Sequence, residues 1–274
     1  MDFPQYKKRY PFRLAAPSFI FPADYVTNAR KLAPCLDEVE LILFESRPDS
    51  LPSKREIEQL RKLQERQTLQ YNVHLPLDLN LCAKDADERE DASAAITGVL
   101  ELVRPLAATT YTLHLPAEVM DPADRPSPAR PWQERALLGL QSLFRRTDLP
   151  PRMISVETLD YPPAWIAPLV ERLDLSVCVD VGHVLLHGFD LWPVFNQFRS
   201  RITICHLHGV SEGKDHLALQ HMDGNHLRTV KTFLSGFTQT LSLEVFSPQN
   251  LRESLQTLAL LMRKKGLQDA DPRK

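Results

Sequence analysis

The chain has 274 residues, 43% hydrophobic and 25% charged, an ordinary globular composition with ample apolar material for a core. Thirty-three basic against 35 acidic residues leave a formal charge of −2, so no cationic surplus offers a counterpart to a nucleic-acid backbone. The opening MDFPQYKKRYPF lacks the apolar stretch of a secretory signal, and no apolar run approaches membrane-spanning length. The four cysteines (Cys35, Cys82, Cys178, Cys205) form no CxxC pair; together these features read as a reduced, cytoplasmic protein with neither membrane nor nucleic acid as partner.

In chain order, short apolar runs alternate with longer amphipathic ones. The short runs are 12–21, 38–44, 71–75, 111–115, 153–157, 176–181, 202–207 and 241–246. They are rich in Val, Ile, Leu and aromatics, with little interruption by polar residues, as expected of strands buried on both faces of a parallel sheet. Between them, 24–32 has helical character, and Ser53 to Glu56 spells a capping box with Ile57, Leu60 and Leu63 on one face behind it. Further helices are predicted over 87–104, 131–146, 163–172, 191–199 and 224–237, and a last one carries Leu251, Leu255, Leu258 and Met262.

Eight strands alternating with eight helices predict an α/β fold, a single (β/α)8 barrel over residues 1–267 with a frayed tail at 268–274. A doubly wound open sheet competes, but it usually offers a glycine-rich first turn, and none is found here. The proline-rich stretch 116–131 follows the fourth strand and reads as a long, stiffened loop over the barrel mouth.

Six predicted strands end in a residue that is costly to bury alone: His74, His114, Glu157, Asp180, His206 and Glu244. In a (β/α)8 barrel all strand C-termini converge on one face, where active sites lie. Three imidazoles and three carboxylates in a ring suit a divalent metal, zinc or manganese. More polar groups crowd the same loops. Asp180-Val-Gly-His183 adds an imidazole, with Gly182 permitting close backbone approach. His206-Leu-His208 puts two imidazoles on one strand face. Lys214, Asp215 and His216 follow in the next loop. Glu45 is a further candidate ligand or acid, equally compatible with a structural role. His187, His221 and His226 read as surface residues, and the cysteines as small core residues. No glycine-rich phosphate loop and no GxSxG elbow occurs.

This constellation, His74, His114, Glu157, Asp180, His183, His206 and Glu244, resembles the xylose isomerase-like barrel superfamily, which holds sugar isomerases, epimerases and endonuclease IV-type phosphodiesterases. For the simple epimerases the resemblance implies a four-ligand site at Glu157, Asp180, His206 and Glu244, with Glu157 and Glu244 as paired acid and base. Endonuclease IV-like enzymes add the positions of His74, His114 and His183 and a terminal Asp-x-His pair. Here Asp215 and His216 are adjacent, a departure that counts against a full third metal. The segments YPFRLAAPSFIFPADYVTNARKLAP, DEVELILFES, YNVHLPLDLNL and CHLHGVSEGKDHLAL look like the cobamide-remodelling phosphodiesterases.

That resemblance implies hydrolysis of the nucleotide loop of a B12-type corrinoid, a small-molecule substrate, to cobinamide phosphate and the lower-ligand nucleoside. It assigns the four ligands to a first metal, and His74 and His114 to a second metal or the scissile phosphate. His183, Asp215 and His216 would hold a weaker metal, or the two His would donate to the leaving oxygen, while Lys214 stabilises developing negative charge. A metal-dependent sugar isomerase or epimerase, and a non-catalytic corrinoid-binding protein, stay open as alternatives.

Overall fold

The structure, a computed structural model, describes residues 3–117 and 129–263. Eight parallel strands close a barrel: β1 (Arg13–Pro17), β2 (Glu38–Ile42), β3 (Gln70–His74), β4 (Tyr111–Leu113), β5 (Ile154–Glu157), β6 (Ser176–Asp180), β7 (Ile202–Leu207) and, last in the chain, β10 (Thr240–Leu243), which pairs with both β7 and β1. A separate antiparallel hairpin, β8 (Gly209–Ser211) with β9 (Lys214–Leu217), stands at the end of β7. The nine α-helices among the described residues are α1 (Tyr25–Leu32), α2 (Lys54–Gln67), α3 (Ala86–Val103), α4 (Ala129–Arg146), α5 (Ala167–Leu173), α6 (Val181–Leu186), α7 (Leu191–Phe198), α8 (Gly224–Leu234) and α9 (Pro248–Leu261). The expected (β/α)8 barrel is therefore the observed fold.

The local signals explain these elements. Ser53 caps α2 through the predicted box, its hydroxyl accepting from the Glu56 N–H while the Glu56 carboxylate accepts from the Ser53 N–H. In α2, Ile57 and Leu60 are buried and the charged residues face outward. Helix α4 starts at Ala129, two residues before the predicted start, with Pro131 in the first turn, where a missing N–H costs nothing. Most of the predicted proline-rich loop, 118–128, lies outside the described residues, as does the tail 268–274.

The strands depart from the expected pattern in an informative way. They alternate with period two, apolar residues facing the helices and polar residues facing the lumen. Val39, Leu41, Tyr71, Val73, Val156, Val177 and Val179 join the apolar core. Glu38 and Glu40 on β2, Asn72 and His74 on β3, Ser155 and Glu157 on β5, and Thr240 and Ser242 on β10 are all buried polar groups. The floor is an ion pair: Arg13 Nε donates to Glu38 Oε2 at 2.9 Å, and Thr240 Oγ1 and Asn72 Nδ2 donate to the same carboxylate at 2.9 Å each. Barrels usually fill this space with branched apolar layers. This one fills it with a hydrogen-bonded polar column that leads up to the mouth.

Candidate metal centre

The strand-end residues meet on one carboxylate. Glu157, buried at the end of β5, receives His74 Nε2 and His114 Nε2 at 3.1 Å each on Oε2, while Oε1 faces His183 Nδ1 at 3.4 Å and His206 Nδ1 at 3.5 Å. Strand shear makes this possible. The near-repeats YNVHLP and YTLHLP are paired not in phase but with His74 opposite Thr112, so His114 stands two residues higher and its ring meets that of His74 edge-on at 4.8 Å. Asp180 and His206 are register partners on β6 and β7, with Asp180 Oδ2 3.7 Å from His206 Nδ1. Glu244, just past β10, places Oε2 3.1 Å from the same nitrogen.

Two of the groups of potential ligand atoms that share Glu157 contain no cysteine. One holds His74, His114 and Glu157; the other holds Glu157, Asp180, His206 and Glu244. Within each, the ligand atoms lie within 4.8 Å of one another.

The hydrogen bonds decide which ring nitrogens face the centre. His74 Nδ1 must donate to the Leu75 carbonyl, 3.0 Å away, so a neutral ring turns the Nε2 lone pair toward Glu157 Oε2. His206 Nε2 donates to Glu40 Oε1 at 2.8 Å, so its Nδ1 lone pair faces Glu244 Oε2. Neither His206 Nδ1 nor Glu244 Oε2 makes a directed hydrogen bond, although both are buried. With neutral rings acceptor would face acceptor at both contacts, so a proton or a cation has to stand there; against the pull of burial, the surrounding acidic groups raise the pKa of both imidazoles.

The separations of His206 Nδ1 from the Glu244, Glu157 and Asp180 oxygens, 3.1 to 3.7 Å, bracket the ~3.3 Å edge of a tetrahedron with ~2.0–2.1 Å bonds to zinc. The residues therefore fit a divalent cation. Burial alone would push the Glu157 carboxyl up, but the imidazoles of His114 and His206 hold it well below the usual carboxylate range. Asp180 is likewise held down against its burial by His183 and His208.

A third group gathers beside these. Asp180 caps α6, accepting the His183 N–H at 2.7 Å, and so aims His183 at the centre. His216 comes from β9. Glu212 and Gly213, at φ 51° and 75°, form the tight turn that folds β8 against β9, so the residues expected in a loop lie on a strand. His216 itself holds φ 49°, uncommon for histidine, and donates Nδ1–H to the Glu244 carbonyl at 3.0 Å, which leaves Nε2 free.

His183, His208 and His216 approach one another closely, but His208 is already saturated. Its Nε2 donates to Asp180 Oδ1 at 3.1 Å and its Nδ1 accepts the His216 N–H at 2.9 Å. It braces the hairpin rather than offering a lone pair. Gly182 makes room for it, because a Cβ there would fall 1.9 Å from the His208 ring. Asp215 Oδ2 is 4.0 Å from His183 Nε2 and 3.8 Å from His216 Nε2, and Lys214 is exposed at the hairpin turn.

Other candidates fall away. Glu45 turns outward to Arg47 and Ser50, and His187, His221 and His226 are exposed. All four cysteines are buried, and no disulfide joins them. Cys178 does border the Glu157–His206 group, which its reading as a core residue did not anticipate, but burial pushes its thiol far up and keeps it protonated.

Sequence reasoning missed Glu40. It lies mid-strand in β2, entirely buried, with Oε1 on His206 and Oε2 accepting from Ser242 Oγ at 2.5 Å. It fixes the His206 tautomer and ring angle from below. Glu40→Gln is expected to weaken divalent-metal affinity 10- to 100-fold, measured by titration calorimetry, with the thermal midpoint of metal-free protein as the check on folding. Unchanged affinity in folded protein would remove Glu40 from the support of the centre.

A sequence profile described as "Xylose isomerase-like TIM barrel" matches residues 29–264. The chain belongs to that family. Among solved structures, this xylose isomerase-like barrel superposes on a D-tagatose 3-epimerase-like protein with TM-score 0.75 and 15% identity, covering 92% of this chain and 97% of that one. It matches endonuclease IV from Thermus thermophilus at TM-score 0.70 and 21% identity, over 91% and 98% of the two chains. An IolI protein with a bound zinc atom matches at TM-score 0.70 and 11% identity, over 92% and 98%. At these identities the likeness speaks for the fold. No curated protein matches the sequence. Among the described residues, no helix is long and apolar enough to cross a membrane.

Proposed function

We propose that this barrel is a metal-dependent phosphodiesterase that opens the nucleotide loop of cobamides, releasing cobinamide phosphate and the lower-ligand nucleoside. The observation that carries the reading is the shared Glu157 carboxylate, with an imidazole pair on one oxygen and a second ligand set on the other. One-metal epimerisation has no use for the His74–His114 pair, whereas in-line displacement at phosphorus is served by two adjacent cationic positions. The corrinoid substrate rests on the likeness of segments 10–34, 37–46, 71–81 and 205–219 to the cobamide-remodelling group.

Glu157, Asp180, His206 and Glu244 would hold zinc or manganese, which supplies Lewis acidity and charge neutralisation at the phosphate. His74 and His114 would hold the second position or the phosphate oxygens. His183 and His216, with Asp215 between them, would hold a further cation or protonate the departing ribose oxygen, and Lys214 would serve as a counter-charge. Water adds to phosphorus, the ester P–O bond breaks, and the proton ends on the nucleoside hydroxyl.

An epimerase reading draws on one feature, that Glu157 and Glu244 flank the same His206 nitrogen as an acid and base pair would. Purified metal-replete protein incubated with adenosylcobalamin decides between them by phosphorus-31 NMR and mass spectrometry. Diester signal is expected to convert to monoester. A diester that persists would sink the phosphodiesterase, and stoichiometric binding without turnover would favour a corrinoid carrier.

A further inference from the structure

Among the described residues, three of the six exposed large apolar side chains gather on one arc of the barrel mouth. Phe44, Leu77 and Phe246 are 38%, 39% and 37% exposed. Each stands two or three residues beyond its strand, after β2, β3 and β10, and half-buried Phe19 stands likewise after β1. Those four strands are consecutive around the barrel, so the side chains form one continuous rim. Phe19 packs edge-on to Phe44 at 4.7 Å, Phe44 lies 6.3 Å from Phe246, and the Leu77 N–H donates to the Phe44 carbonyl. At its inner end the rim joins the metal centre, where the Phe246 ring meets the His216 ring at 5.0 Å.

Leaving three large apolar side chains half in water is a standing cost unless something apolar covers them. A sugar, hydroxylated on both faces, gains little from such a surface. A nucleic-acid strand would call for cations there, whereas the charged neighbours Glu45 and Arg47 are already paired with each other.

We infer that Phe19, Phe44, Leu77 and Phe246 form a shelf that seats a flat, largely apolar ring system covalently joined to the phosphodiester held at the metal centre. The inference rests on the phosphodiesterase reading and adds to it the side from which the substrate enters. Two parts of a cobamide have this chemistry, the corrin macrocycle and the lower-ligand base.

The test is the double variant Phe44→Ala/Phe246→Ala in metal-replete protein, assayed with adenosylcobalamin and, by equilibrium dialysis, with cobinamide phosphate and with the free lower-ligand nucleoside. KM is expected to rise about tenfold or more while kcat changes far less, because ring stacking is lost before and during the reaction alike. Whichever of the two dialysis probes loses affinity by the same factor is the part that the shelf seats. Wild-type hydrolysis with an unchanged KM in the variant overturns the shelf and leaves the phosphodiesterase standing. If the wild type hydrolyses no cobamide, the reaction falls and the dialysis arm alone decides. Tenfold weaker binding of either probe in the variant then supports the shelf, and equal binding or none overturns it.

Discussion

Glu157→Gln is expected to empty both ligand sets at once. The amide is nearly isosteric, so barrel closure should survive, but one of its two atoms becomes a donor. It can no longer offer Oε2 to the His74–His114 side and Oε1 to the His206 side together. Metal affinity should fall by more than the ~10²-fold that follows loss of a ligand's support, and turnover by ~10³-fold or more, since charge stabilisation at phosphorus goes with the ion. Elemental analysis of purified protein, beside far-UV circular dichroism, checks it. Full metal occupancy with near wild-type turnover would dismantle the shared-carboxylate centre.

His114→Ala separates the two chemistries that the fold can host. The four side chains Glu157, Asp180, His206 and Glu244 remain, so one ion per chain should stay bound. If His114 holds a second cation or the phosphate, kcat on a cobamide should drop by at least ~10²-fold, the scale for losing a positioned catalytic group. If the centre works with one ion on a sugar, His114 only lines the pocket and KM suffers more than kcat. Steady-state kinetics with metal analysis of the same sample distinguish these outcomes.

The convergence of strand ends was legible in the chain because only one face of a closed parallel barrel can collect residues spaced like His74, His114, Glu157, Asp180, His206 and Glu244. Glu40 was not, since it lies mid-strand in EVELILF, away from the strand ends where a ring of ligands is expected to converge. Its partners His206 and Ser242 stand 166 and 202 residues away, and no local pattern reports such a pairing. The β8–β9 hairpin had a signal, the Glu212-Gly213 turn, masked by polar flanks that look like loop. The roles of His208 and Gly182 depend on one ring lying over one backbone atom, which only coordinates supply.

The polar column has a consequence for how the chain can be cut. No residue of the proposed ligand set precedes His74, yet Glu38 on β2 takes a hydrogen bond from Thr240, and Glu40 takes bonds from both His206 and Ser242. The two ends of the sequence are laced together inside the lumen. A version started at the third strand would keep all nine proposed ligands and still lose the post that aims His206. The residue that aims precedes in the chain every residue that binds, and neither part is a module that can be exchanged alone.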